Sequence, residues 1–79
     1  MNEQELTFGQ KLVGVSFNPS QDPRVDRVKE ICAELADIIQ PLEGANNTNS
    51  YLFNLVKGNA LREILNAQMN SVKLLTLKY

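Results

Sequence analysis

Five polar residues near the C-terminus are spaced to grip an anion. Asn59, Arg62, Asn66, Asn70 and Lys73 recur at intervals of three, four, four and three, which sets them along one face of a helix. No carboxylate interrupts the row, and Glu63 is turned from Arg62 by about 100°. Guanidinium and ammonium groups suit phosphates, and asparagine amides suit base edges or ribose hydroxyls. The same stripe also fits amides that fill an interface between copies or face water. Phe17, in the loop Gly14-Val15-Ser16-Phe17-Asn18-Pro19-Ser20-Gln21, has a comparable double reading. It can stack on a nucleobase, for about 1–3 kcal/mol per base, or staple its loop onto the helices. Lys29 falls beside an apolar seam, where it reaches a neighbouring copy or covers apolar surface with its stem.

Other chemistry is poorly provided for. The sequence holds no histidine, so Ser-His and Cys-His pairs and histidine general bases are excluded. Gly9, Gly14 and Gly44 are scattered and make no phosphate-binding fingerprint. Glu30, Glu34 and Asp37 share one face of a helix, but no second helix brings histidines to complete a di-metal site. Cys32, the one cysteine, offers neither a disulfide nor a metal cage and reads as an unreactive core thiol. An enzyme is not expected, nor is a cofactor.

The elements that must position these residues follow from periodicity. Asp22-Pro23 opens a helix, with the Asp22 carboxylate as cap and Pro23 in the first turn. Val25, Val28, Cys32, Leu35, Ile39 and Leu42 recur at intervals of three and four as a seam, widened by Ile31 and Ile38. Pro41 and Gly44 end this helix, predicted over 23–40. A polar connection over 43–50 reverses the chain, and Asn49 or Ser50 caps a second helix predicted over 51–75. Gly58-Asn59 is its weak point, a place where the helix could kink. The segment 1–21 is irregular, with a short helix around Glu3 to Leu12. The expected fold is a single all-α domain over 1–79, an antiparallel helical hairpin behind a short irregular or helical N-terminal segment.

Size and composition add an expectation about assembly. Seventy-nine residues, 43% of them apolar, cannot hide all that surface in two helices, since a chain this small buries only about 60% of what it exposes unfolded. Without disulfide or metal, association with further copies remains as the staple, and a homo-oligomer is expected. Eight basic against nine acidic residues give a net charge of −1, too little for duplex DNA or RNA. Residues Met1 to Gln10 carry Glu3 and Glu5 without a basic stretch and apolar core, so no secretion signal is expected there. No apolar run reaches the roughly 18 residues of a membrane span.

The motifs also resemble a known family. Phe17-Asn18-Pro19-Ser20, then Val25-Asp26-Arg27-Val28-Lys29, Ala33-Glu34-Leu35 and Ile38-Ile39, are similar to the first half of the bacteriophage anti-CBASS sponges. Ala60-Leu61-Arg62 and Ala67-Gln68-Met69-Asn70-Ser71-Val72-Lys73 are similar to the second half. The likeness spans about Gly14 to Leu77. These phage proteins soak up the cyclic oligonucleotides by which an infected bacterium signals.

The resemblance implies a homohexamer of hairpins in the cytoplasm of the infected host. It would sequester cyclic dinucleotides and cyclic trinucleotides intact and so block CBASS immunity. By position Lys29 matches the lysine of the dinucleotide pocket, and Val15 or Phe17 the base-stacking residue of the preceding loop, where some members carry tyrosine. Arg62 matches the phosphate-gripping arginine of the trinucleotide pocket, with Asn66 one turn on. Asn70 stands where some relatives carry tryptophan. A helical-hairpin oligomer that binds a host or phage protein through its apolar surface is the competing expectation. A phosphodiesterase ranks behind both.

Overall fold

The computed structural model describes residues 5–44 and 49–77. They form three helices, α1 (Phe8–Val13), α2 (Pro23–Ile39) and α3 (Ser50–Thr76), and no strand. The N-terminal helix is shorter and later than the sequence suggests, and residues 1–4 lie outside the described segments. The loop expected over 43–50 is only partly described, since residues 45–48 are outside them too.

Each helix starts where its sequence supplies an acceptor for the free amides of the first turn. Thr7 and Gln10 form a reciprocal capping box on α1: Thr7 Oγ1 accepts from the Gln10 amide at 3.1 Å and Gln10 Oε1 from the Thr7 amide at 2.9 Å. Asp22 accepts from the Arg24 amide at 2.9 Å, with Pro23 in the first turn of α2. Asn49 accepts from the Leu52 amide at 3.0 Å to open α3. The helix α3 runs on through Gly58 as one element of 27 residues, about 40 Å long. The weak point at Gly58-Asn59 does not break the helix, because the turns on either side outweigh a propensity cost of about 1 kcal/mol.

The pairing of α2 with α3 is antiparallel. Lys57, early in α3, donates to the Leu42 carbonyl beyond the end of α2 at 2.9 Å. Val25 and Lys29, early in α2, share a groove with Leu65, Gln68 and Val72 late in α3. The helix α1 packs on α2 and touches α3 little. Gly9 makes that contact possible: a Cβ there would lie 2.9 Å from Ala33 Cα and overlap the Ala33 carbonyl. Its amide donates to Asp37 Oδ1 at 2.7 Å, so a carboxylate of α2 serves the N-terminus of α1.

The buried face of α2 shares only Val25 with the seam read from the sequence. Val25, Lys29, Ala33 and Ala36 are buried, while Val28, Cys32 and Ile39 are half-buried and Leu35 and Leu42 are exposed. The physical reason is close packing: α1 approaches α2 through Gly9, and only small side chains such as Ala33 fit beneath it. The bulky residues are thereby rotated outward. Val28, Ile31, Leu35, Ile38 and Leu42, at intervals of three, four, three and four, form a heptad-like stripe on the outside, where Leu35 is 46% and Ile38 64% exposed. Cys32 is half-buried, and burial pushes its thiol pKa above the ordinary value.

The molecule is a thin plate, 49 × 39 × 13 Å. Its radius of gyration is 14.9 Å, against about 11.6 Å for a compact chain of this length. It exposes 6112 Å², where a compact monomer of its mass would expose roughly 4,800 Å². The apolar excess seen in the composition lies on that surface.

Candidate functional site

The loop between α1 and α2 is built to hold one shape. Gly14 ends α1 in the left-handed region at φ 66°, a conformation glycine adopts at little cost. The Val15 amide closes back on the Gln10 carbonyl at 3.1 Å and the Phe17 amide on the Gly14 carbonyl at 2.9 Å. Asn18 then pins the approach to α2. Its Oδ1 accepts from Ser20 Oγ at 2.7 Å and the Gln21 amide at 3.1 Å, and its Nδ2 donates to the Asp22 carbonyl and to Asp26 Oδ1, each at 3.0 Å.

Between this loop, the start of α2 and the last third of α3 lies a half-open groove of about 520 Å³, within the size range of small-molecule sites. Apolar side chains such as Val25, Leu65 and Val72 make it mainly apolar; Phe17 supplies a ring, and Lys11, Lys29, Gln68, Asn18, Ser20 and Thr76 its polar groups.

Lys29 is the central feature. It is only 4% exposed, yet its ammonium forms no ion pair among the described residues. Nζ donates to the carbonyls of Gly14, at 2.9 Å, and of Phe17, and sits 5.4 Å from the centroid of the Phe17 ring. An ammonium has three donors, and two are used by these carbonyls. A buried charge held by dipoles and a ring, with no carboxylate beside it, is a place where an anion gains more than in water. The Phe17 ring is itself 71% exposed. It does not staple the loop to the hairpin; it stands open at the mouth of the groove. Lys29 likewise does not flank a seam toward a neighbour, since it is buried and tied to its own chain's loop.

The other expected site residues are distributed differently. Val15 is half-buried beside this loop but does not line the groove. Arg62 and Asn66 are exposed on the opposite side of α3. Each precedes a buried residue, Ile64 and Gln68, by two positions, about 200° of helix rotation. Arg62 donates to Asn59 Oδ1 at 2.7 Å, so two members of the polar stripe are joined, and Asn70 and Lys73 continue it on the surface. The structure thus brings Phe17 and Lys29 together and keeps Arg62 and Asn66 apart from them. The carboxylates of α2 serve the fold: Glu30 pairs with Arg27 at 3.1 Å and Asp37 holds the Gly9 amide.

Gln68 and Lys11 line the groove without having been singled out in the sequence. A signal for Gln68 was there, since it is a lone amide on the stripe Leu61, Ile64, Leu65, Gln68, Val72 and Leu75. Comparison of the chain with known protein families, curated proteins and solved structures finds no match. No helix among the described residues is long and apolar enough to cross a membrane.

Proposed function

We propose that this chain is a phage-encoded sponge that binds cyclic dinucleotides in the Lys29 groove and sequesters them without turnover, blocking host CBASS immunity. The observation that carries the reading is the buried Lys29 ammonium, unpaired with any carboxylate among the described residues, beside the exposed Phe17 ring. A phosphodiester supplies the missing negative charge, and its base supplies a flat face for the ring. The groove is open on one side, and a second copy set across it would close it around a ligand of near two-fold symmetry. Cyclic trinucleotides belong in this reading to the separate Arg62–Asn66 stripe, where three copies would bring three guanidinium groups to three phosphates. The assembly is a homo-oligomer, a hexamer by the resemblance, acting in the cytoplasm of the infected bacterium.

Binding without chemistry fits a sequence that has no histidine. Sequestration works by mass action and requires about −12 kcal/mol, a nanomolar Kd, to compete with a host receptor. The test is calorimetry with a panel of cyclic dinucleotides, followed by heating the complex and identifying what is released. Heat of binding and intact ligand are expected. Linear product would overturn the non-enzymatic reading, and no heat with any ligand would overturn the sponge.

The exposed residues Ile31, Leu35, Ile38 and Leu42 of the outward stripe favour a second reading, in which the hairpin oligomer binds a host or phage protein. Silence in that calorimetry, with a protein partner retained on the wild-type chain and lost on Leu35→Glu, would favour it.

A further inference from the structure

We infer that Gln68 is the residue by which this groove selects its nucleobase, and that the base it selects is adenine. The inference rests on the cyclic dinucleotide reading of the groove and names the feature of the ligand that the groove reads.

Gln68 lies on the inward side of α3, one turn from Ile64 and one from Val72, in the row that packs toward α2. The residue is 5% exposed. An amide so placed ordinarily finds a partner within the protein, because burying it unpaired is costly. No described residue hydrogen-bonds to the Gln68 side chain, and no side-chain polar atom sealed from solvent lacks a partner. With no described partner and no sealed orphan atom, and with Gln68 in the lining of the groove, the groove is the space left for the amide to face. It is therefore a donor and an acceptor, side by side, facing the same space as the Lys29 ammonium and the Phe17 ring.

The chemistry of the amide fixes what it can read. Its NH2 gives to an acceptor while its carbonyl oxygen takes from an adjacent donor, a bidentate pair. Adenine offers an N6 amine beside an acceptor on either of its exposed edges, N7 on one side and N1 on the other, and glutamine with adenine is a standard bidentate match. Guanine offers two acceptors, O6 and N7, on its major-groove edge, which an amide cannot satisfy in pairs, and of the same two edges it pairs with an amide only through O6 and N1–H, whereas adenine fits on either. With the phosphate drawn to Lys29 and a base face on Phe17, a purine edge turned inward meets the apolar wall of Leu65 and Val72 except at Gln68. Thr76 also lines the groove from α3, but its hydroxyl donates to the Val72 carbonyl at 2.9 Å, which leaves the Gln68 amide as the group of that wall that reads a base edge as a paired donor and acceptor.

The experiment is calorimetry on the full chain with two probes: cyclic di-AMP, and the same ring with unsubstituted purine in place of adenine. Wild type is expected to bind the purine analogue about tenfold to a hundredfold more weakly. Gln68→Met keeps the side-chain volume and removes the amide, and is expected to bind the two probes within about twofold of each other, with Lys29 and Phe17 intact. Equal binding of both probes by wild type would overturn the assignment whatever the variant does, and so would full discrimination by Gln68→Met. No heat from wild type with either probe, or with any other cyclic dinucleotide, would overturn the sponge reading, and this inference with it. Heat without discrimination overturns this inference alone.

Discussion

The Lys29 ammonium donates to the Gly14 carbonyl at 2.9 Å, tying the middle of one helix to the residue that ends another. Gly14 turns there in the left-handed region, so the loop that follows is aimed by two constraints at once: a backbone conformation and a buried cation. The Phe17 carbonyl accepts from the same nitrogen, which is why an exposed ring still has a defined position.

Replacing Lys29 by methionine keeps the apolar stem and removes the charge. The two carbonyls lose a charged donor, worth about 1.5–3 kcal/mol for such bonds, and the loop loosens. A melt followed by circular dichroism should show a lower Tm with helix content retained. Affinity for cyclic dinucleotides should fall by about tenfold or more, because the phosphate loses its counter-charge. Unchanged affinity in the calorimeter would remove Lys29 from the site.

A Cβ on Gly9 would overlap the backbone of Ala33, and backbone cannot swing aside as a side chain can. Gly9→Ala is therefore expected to cost about 1–3 kcal/mol through overpacking, and to push α1 off α2. Gly58 is the contrast, since it lies within α3 and nothing stands within 4 Å of a Cβ there. Gly58→Ala should stabilise by about 0.5–1 kcal/mol from helix propensity alone. Denaturant titration of both variants reads the two signs, and a neutral Gly9→Ala would show that α1 does not depend on that close approach.

The helices were legible because their punctuation is local. Asp22-Pro23, Asn49 and Pro41 each act within one turn, and α2 and α3 begin and end within a residue or so of where these place them. The face that α2 buries was not legible, because it depends on a glycine fourteen residues before the helix that lets a neighbour come close. Periodicity ranked Leu35 and Ile38 above Ala33 and Ala36 by bulk, whereas the packing rewarded smallness. The groove suffered the same way. Lys29 and Gln68 are polar residues on inward faces, and a helical count alone cannot tell a buried polar group from a flanking one.

Arg62 and Lys29 sit on different sides of the fold, one exposed on the outer face of α3 and one buried between α2 and the loop. Sites that share no partners respond independently to substitution. Arg62→Ala is expected to abolish cyclic trinucleotide binding and leave cyclic dinucleotide affinity within about twofold. Lys29→Met should do the reverse, and the double variant should lose both. Competition between the two ligand classes on wild type gives the same answer without mutation: each should bind undisturbed in the presence of the other. Mutual displacement would mean one site, not two.

The outward stripe on α2 bears on whether the groove ever closes. Leu35 and Ile38 are 46% and 64% exposed, so they contribute little to the protomer, yet burying a leucine or isoleucine side chain is worth about 1.5–3 kcal/mol. A stripe at heptad spacing is shaped to bury such residues against another helix. Leu35→Glu with Ile38→Glu should therefore leave the helical signal of the protomer nearly intact while dissociating the assembly in sedimentation velocity. Glu34→Gln, on the same helix, is the control that should change neither. If the groove is completed by a second copy, the dissociated variant also binds cyclic dinucleotides more weakly, with Lys29, Phe17 and Gln68 all in place. A variant that falls apart yet binds at full strength would place the whole dinucleotide site within one chain, and a wild type that sediments as one chain at micromolar concentration would remove the stripe as a self-contact.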